Sequence, residues 1–162
     1  MDLHSGVVLY DKNPHHRLKP ASLTKIMTSL VALDYFREDS VLKVVNGQNS
    51  LGNTIDLIKG DQFIANDLLY GLLVSSGNDA AVTFAENYPG GYSAFVQKMN
   101  NKAIDLGLEN THFNNVSGVE GQDHYTSAYD ISMIAREALN RQLFENIVST
   151  QKITLKSLKG HS

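Results

Sequence analysis

The chain has 162 residues, of which 42% are hydrophobic and 19% charged, a composition typical of one folded domain and not of a disordered segment. Its 14 Lys and Arg residues against 17 Asp and Glu residues give a formal net charge of −3, which excludes the basic excess typical of a nucleic-acid-binding protein. Cysteine is absent, so disulfides and Cys-ligated metals are excluded. No stretch approaches the roughly 20 apolar residues of a membrane span, and the first residues lack the pattern of a signal peptide.

The first part of the chain predicts a strand, a loop, a helix and a second strand. Residues 7–10 favour a strand, and a polar loop follows them. A helix is predicted to begin near Pro20-Ala21-Ser22, because proline is tolerated in a first helical turn. Apolar residues are spread so widely round this helix that most of it should be buried. Residues 40–45 predict a short strand, whereas 51–63 have no clear pattern.

The remainder of the chain predicts four helices and a final strand. Apolar residues at helical spacing predict helices over 68–73, 95–106 and 131–139, and another helix is predicted over 80–86. Alternating residues over 147–158 predict a strand. A helix-rich chain with strands at both ends indicates an α+β fold in which helices cover a sheet.

The pattern Ser-x-x-Lys has three occurrences, and their predicted local structures distinguish them. The three pairs are Ser22/Lys25, Ser40/Lys43 and Ser149/Lys152. Residues three apart share one face of a helix but point to opposite faces of a strand. The second and third pairs lie in predicted strands, so only Ser22 and Lys25 are expected to meet.

The start of a helix also favours nucleophilic chemistry by this pair. A serine hydroxyl needs a base, and lysine is a base only when it is neutral. Burial and the positive end of a helix dipole both disfavour the charge of Lys25. Free N–H groups at the same helix end can stabilise an oxyanion. The alternative is that Ser22 caps the helix and Lys25 is solvated.

Ser76-Gly77-Asn78 lies between two predicted helices and is a second candidate site. The hydroxyl of Ser76 could relay a proton, and the amide of Asn78 could bind a substrate carbonyl. The alternative is a helix cap, because Ser76 and Asp79 have the spacing of a capping box. The six histidines have no metal-ligand spacing and no Gly-rich phosphate loop is present, so neither a metal nor a cofactor is expected.

Two motifs in order resemble those of a known family. Pro20-Ala21-Ser22-Leu23-Thr24-Lys25 is similar to the active-site box of serine D-alanyl-D-alanine carboxypeptidases, the low-molecular-weight penicillin-binding proteins, and Ser76-Gly77-Asn78 is similar to their second box. Shorter similarities extend the resemblance over roughly residues 5–150. The family has a β-lactamase/DD-peptidase-like fold, and the glycine between Ser76 and Asn78 favours its carboxypeptidase branch over class A β-lactamases.

The resemblance implies a reaction and a role for each candidate residue. The family removes the terminal D-Ala from peptidoglycan stem peptides through an acyl-enzyme, and β-lactam antibiotics acylate the same serine. Ser22 is then the nucleophile and a source of one oxyanion N–H, and Lys25 is the base. Ser76 passes a proton to the leaving amine, and Asn78 holds the substrate backbone. Such enzymes act outside the cytoplasm, in the cell envelope.

The sequence departs from the family pattern at both ends. The third box, Lys-Thr-Gly on a strand, is missing, and so is the strand that precedes Ser5-Gly6. We therefore expect residues 1–162 to be a partial catalytic domain with an incomplete antiparallel sheet and impaired activity, with any membrane anchor outside it. An exposed sheet edge would favour a homo-oligomer. The alternatives are a non-catalytic relative that binds peptidoglycan or a partner and a class A-like β-lactamase, for which no deacylating glutamate is evident.

Overall fold

The structure is a computed structural model that describes residues 1–46, 52–119 and 121–158. Its elements in chain order are a 3₁₀ turn (Ala21–Leu23), α1 (Thr24–Tyr35), β1 (Val41–Lys43), β2 (Gln62–Ile64), α2 (Ala65–Leu73), α3 (Asn78–Asn87), α4 (Gly91–Asp105), α5 (Ala128–Leu139) and α6 (Gln142–Val148). In these three ranges no helix is long and apolar enough to cross a bilayer.

Helix α1 lies at the centre of the molecule. It contacts α2, α3, α4 and α5, so little of its surface faces water. Met27, Leu30 and Val31 are completely or almost completely buried, which confirms the prediction that most of this helix is inside. Phe84 of α3 and Phe95 of α4 are also fully buried and form part of the same core. Because α1 is enclosed by its neighbours, the residues that precede it are held in place as well.

The far end of α1 is held by charges. Asp34 accepts a hydrogen bond from the ammonium of Lys102 on α4 at 2.6 Å. Its other oxygen accepts one from the guanidinium of Arg141, which precedes α6, at 3.0 Å. Glu137 of α5 also pairs with Arg141. The charged groups of three other segments therefore converge near one helix end.

The sheet in the described residues has two antiparallel strands. Val41 pairs with Ile64 and Lys43 with Gln62, and the middle residues of both strands are buried against the helices. The side chain of Asn87 bonds to the backbone N–H and C=O of Lys43, at 3.1 and 2.9 Å, on the outer side of β1. A side chain of α3 therefore satisfies some of the backbone hydrogen-bonding groups at this edge of the sheet.

Most of the predicted elements are present. The strand predicted over 40–45 is β1, and the four helices predicted after residue 67 are α2, α3, α4 and α5. Helices α2 and α3 pack against a small antiparallel sheet, so the predicted α+β class is confirmed. Leu51, the first residue of the unassigned stretch, lies outside the described residues.

The strand predicted over residues 7–10 is wrong. The side chains of Val7, Leu9 and Tyr10 are exposed, and no strand of the described ranges lies beside them. A single extended segment without a neighbour forms no ladder of hydrogen bonds, so β propensity alone does not make it a strand. The residues before it form a turn that α5 holds, because Arg136 donates to the carbonyls of Leu3 and His4 at 2.7 and 2.9 Å.

The strand predicted over 147–158 is also wrong. Its first two residues end α6, in which Phe144 and Ile147 lie three apart and are both buried. The helical period begins at residue 142, ahead of the segment that was assigned to a strand. Beyond α6, the N–H of Leu158 donates to the carbonyl of Gln62 at 2.8 Å, but residues 149–158 form no strand.

A close backbone contact joins the long loop between α4 and α5 to the 3₁₀ turn. Gly118 has a φ of +84°, and a Cβ at this position would lie 1.7 Å from the carbonyl oxygen of Ala21. Ala21 itself has a φ of +49°, a region that few residues other than glycine adopt. The loop and the turn therefore pack backbone against backbone, and only glycine fits between them.

We expect Gly118→Ala to destabilise the fold far more than Gly107→Ala. Both glycines have left-handed backbones, so each substitution costs about 1–2 kcal/mol. Only Gly118 faces a clash, because nothing lies within 4 Å of a Cβ on Gly107. Overpacking adds about 1–3 kcal/mol or more. Urea unfolding of both variants measures the difference, and equal losses of stability would contradict this account of the contact.

Candidate active site

Ser22 and Lys25 meet at the start of α1. Ser22 lies in the 3₁₀ turn and is exposed, whereas the side chain of Lys25, in the first turn of α1, is only 2% exposed. The Nζ of Lys25 lies 3.3 Å from the Oγ of Ser22. No side-chain hydrogen bond caps α1, so the alternative of a serine cap followed by a solvated lysine is wrong. A solvent-accessible hydroxyl is paired with a buried amine.

The other two Ser-x-x-Lys pairs have different surroundings. Lys43 is exposed on β1, and Lys152 is exposed in the segment that follows α6. Ser149 ends α6, and its hydroxyl donates to the carbonyl of Glu145 at 2.8 Å. Neither of these lysines is therefore enclosed in the protein as Lys25 is.

Burial disfavours the charged form of Lys25. Desolvation lowers the pKa of its amine from 10.5 to about 8. The carbonyl oxygen of Ser117 lies 2.9 Å from Nζ and accepts one of its N–H groups. In the neutral amine, this bond leaves the lone pair available for the hydroxyl of Ser22. With a pKa of about 8, about a tenth of the Lys25 amine is neutral at pH 7, and two oxygen atoms orient it.

Ser76 lines the same cleft as Ser22 and Lys25. The cleft has a volume of about 530 Å³, and apolar side chains of α2, α5 and α6 form much of its wall. The Oγ of Ser76 is buried and has no hydrogen-bond partner among the described residues. Its backbone has a φ of +55°. A strained backbone and an unsatisfied hydroxyl at one residue are features that cluster at functional sites.

Asn78 lies next to this cleft but is not among the residues that line it. It is the first residue of α3 and is buried, and its backbone N–H donates to the carbonyl of Asn53 at 2.7 Å. Its Nδ2 packs against Gly52. The structure thus brings Ser22, Lys25 and Ser76 together and places Asn78 against Gly52 and Asn53.

Asp79 does not cap α3 with Ser76, so the capping-box alternative is wrong. The residue that caps α3 is Gly77. The buried carboxylate of Asp79 instead accepts hydrogen bonds from the backbone N–H groups of Ile55, Leu57 and Ala80, at 3.0 to 3.1 Å. These bonds hold residues 55–57 against the start of α3. The hydroxyl of Ser76 is consequently left for other partners.

The loop that holds Lys25 was not predicted from the sequence. Asn115 Oδ1 accepts hydrogen bonds from the N–H groups of Ser117 and Gly118, at 3.1 and 2.7 Å, and so shapes the turn that presents the Ser117 carbonyl. An asparagine shortly before Ser-Gly is typical of a tight turn, and this signal was available. No signal in the sequence indicates that this turn lies against Lys25, because 92 residues separate Lys25 from Ser117.

The lowered pKa of Lys25 predicts a dependence of stability on pH. Between pH 8 and 10.5 the folded state binds fewer protons at Lys25 than the unfolded state, so the free energy of unfolding should rise with pH. Lys25→Met should abolish this rise, whereas Lys98→Met, at an exposed position, should keep it. Urea unfolding at several pH values tests this. Parallel curves for the unchanged chain and Lys25→Met would contradict the buried amine.

Comparisons with known proteins agree on one family. Residues 1–159 match the family described as peptidase S11, D-alanyl-D-alanine carboxypeptidase. The chain is 39% identical over 152 residues to D-alanyl-D-alanine carboxypeptidase DacF of Bacillus subtilis, which covers 90% of this chain and 39% of that protein. It is 36% identical over 169 residues to DacD of Escherichia coli K12, with 95% and 43% covered. The chain thus spans about two fifths of the length of these relatives.

Solved structures show the same relationship. The crystal structure of a D-alanyl-D-alanine carboxypeptidase from Mycobacterium tuberculosis superposes with a TM-score of 0.92 at 35% identity, covering 99% of this chain and 62% of that one. The DD-transpeptidase of Streptomyces K15 superposes with a TM-score of 0.89 at 32% identity, covering 99% and 67%. The predicted DD-peptidase-like fold is therefore confirmed. The chain belongs to the D-alanyl-D-alanine carboxypeptidase family, peptidase S11.

Proposed function

We propose that this chain carries the acylation machinery of a serine D-alanyl-D-alanine carboxypeptidase, which removes the terminal D-Ala of peptidoglycan stem peptides. One observation carries the proposal: the buried amine of Lys25 lies 3.3 Å from the Oγ of Ser22, in a cleft that Ser76 also lines. A hydroxyl beside a desolvated amine is an activated nucleophile. Family membership supplies the substrate class.

In the proposed reaction, Ser22 and Lys25 form the acyl-enzyme. Neutral Lys25 accepts the hydroxyl proton while Oγ bonds to the carbonyl carbon of the penultimate D-Ala. The carbonyl oxygen becomes an oxyanion, and the backbone N–H of Ser22 is proposed as one of its donors, since N–H groups at a helix start suit this role. The ammonium of Lys25 then returns a proton through Ser76 to the leaving nitrogen, and the C–N bond breaks. Water hydrolyses the ester of Ser22 and regenerates the hydroxyl.

Asn78 is proposed to hold the substrate backbone beside the cleft. The position of Asn78, two residues after Ser76 at the start of α3, supports this proposal. Asp79 anchors residues 55–57 to the same helix end, so the position of Asn78 is well restrained. An amide that donates to one substrate group and accepts from another orients an extended peptide.

We further propose that residues 1–162 are part of a larger catalytic domain. Two observations support this: the chain spans about two fifths of its relatives, and it contains no Lys-Thr-Gly sequence. In this interpretation a further strand supplies the second oxyanion donor and the contact to the substrate carboxylate. Loss of one oxyanion donor lowers the rate by about 10²–10³. The proposed cellular location of the protein is the outer side of the cytoplasmic membrane, because peptidoglycan is found there.

Mass spectrometry with a labelled β-lactam tests the proposed function. We expect a longer product of the same gene that includes a Lys-Thr-Gly strand to gain one adduct, and residues 1–162 alone to react at least about 10²-fold more slowly. Ser22→Ala should abolish the adduct, and Ser93→Ala, at an exposed position, should keep it.

Each other outcome favours a different function. A folded longer product that forms no adduct would exclude acylation at Ser22 and favour a peptidoglycan- or partner-binding relative, an alternative that the missing third box supports. Rapid turnover of the drug would favour a class A-like β-lactamase. An adduct that survives Ser22→Ala would contradict the assigned nucleophile.

We propose separately that the chain self-associates through residues 7–10. These residues belong to no strand and are exposed, so their apolar side chains are available for contact with a second copy. We expect sedimentation velocity to show a dimer or larger species at high concentration, and Leu9→Lys to weaken it because a charge disfavours edge pairing. A monomer throughout the concentration range would exclude the proposal.

A further inference from the structure

His124 connects the active-site helix to the loop that holds Lys25. It lies between α4 and α5 in sequence and is buried, with its ring against the ring of Phe113 at a centroid distance of 5.7 Å. Its Nδ1 accepts a hydrogen bond from the backbone N–H of Asn114 at 3.1 Å, and its Nε2 lies 2.8 Å from Thr24 Oγ1. Thr24 is the residue immediately before Lys25.

The partners of the ring determine its tautomer. A backbone N–H can only donate, so Nδ1 of His124 must be unprotonated. Nε2 then carries the hydrogen of the neutral ring and donates it to Thr24. Burial is the main reason why the pKa of His124 falls to about 4, and the charge of His112 lowers it further. The ring is thus neutral at physiological pH, and both of its bonds persist there.

The loop of residues 114–118, which His124 contacts at its first residue, is restrained by several other contacts. Thr28 donates to the carbonyl of Val116 at 2.7 Å, one turn of α1 beyond Thr24. Asn115 bonds to the next two N–H groups, and Gly118 lies against Ala21. Within this loop, His124 restrains the first residue, Asn114. The carbonyl of Ser117 is thereby held 2.9 Å from Lys25 Nζ.

We propose that His124 is a positioning residue, which bonds to Thr24 and Asn114 and so fixes the distance between the Ser117 carbonyl and the amine of Lys25. This inference rests on the proposed role of Lys25 as the base. Without the bridge, the loop can separate from α1 and water can reach the amine. Hydration favours the ammonium, so fewer molecules carry a neutral base.

Titration of Lys25 by NMR tests the proposal without requiring turnover. The chain is labelled with ¹³C at lysine Cε, and the signal of Lys25 is identified by its absence in Lys25→Met. We expect it to titrate near 8 in the unchanged chain. In His124→Phe and Thr24→Val the pKa should rise by about one unit or more, which means about tenfold fewer neutral amines at pH 7. Thr24→Ser keeps the hydroxyl and should restore the original titration.

The controls separate positioning from general destabilisation. His16→Phe changes an exposed histidine and should leave the titration of Lys25 unaffected. Folded His124→Phe and Thr24→Val with an unchanged Lys25 pKa would overturn the proposal. Because the titration measures no acylation, an unchanged Lys25 pKa would not contradict the proposed function. Conversely, a failed β-lactam reaction would not contradict the positioning role of His124.

The unchanged chain provides an independent check if these variants fail to fold. The ¹⁵N shifts of the His124 ring should report hydrogen on Nε2 alone from pH 5.5 to 8. A ring with hydrogen on Nδ1, or one that is fully protonated at pH 5.5, could not accept from Asn114 and would refute the bridge.

Discussion

The amine of Lys25 is the group on which the arrangement of the site depends. A buried amine loses its hydration, and the protein replaces it with two oxygen atoms, the Ser22 hydroxyl and the Ser117 carbonyl. Desolvation lowers its pKa to about 8, far enough to provide a neutral fraction near pH 7. Enclosure by α1, the 3₁₀ turn and the long loop is what keeps water away. The helices packed round α1 therefore affect the pKa of Lys25 by keeping water away from its amine.

Positive φ angles near the cleft have different causes. Gly118 must approach the carbonyl of Ala21, and Ala21 adopts its own strained conformation just before Ser22. Ser76 has positive φ where α2 gives way to α3. Such conformations persist only where surrounding contacts impose them. The bonds of Asp79 and Asn115 to backbone N–H groups supply such contacts on the two sides of the site.

Local patterns predicted five of the six α-helices in the described residues, α6 being missed, and they predicted that Ser22 and Lys25 meet. Ser22 and Lys25 were predicted to meet because a helix brings residues three apart onto one face. The strand argument holds for Lys43, which lies on β1, but not for Ser149, which follows α6 and lies in no strand. Residues 7–10 show the limit of this reasoning, since a strand depends on a neighbour that propensity does not provide. The carbonyl of Ser117 and the ring of His124 were beyond it for a related reason: both reach α1 across more than 90 residues.

The two ends of α1 are held by forces of different kinds. Around Ser22 and Lys25 the contacts are hydrogen bonds, many of them to backbone groups, whereas Asp34 at the other end is held by the cations of Lys102 and Arg141. Dissolved ions screen partly exposed charge pairs far more than they affect buried hydrogen bonds. A change of ionic strength would thus loosen or tighten mainly the end of the helix remote from Ser22.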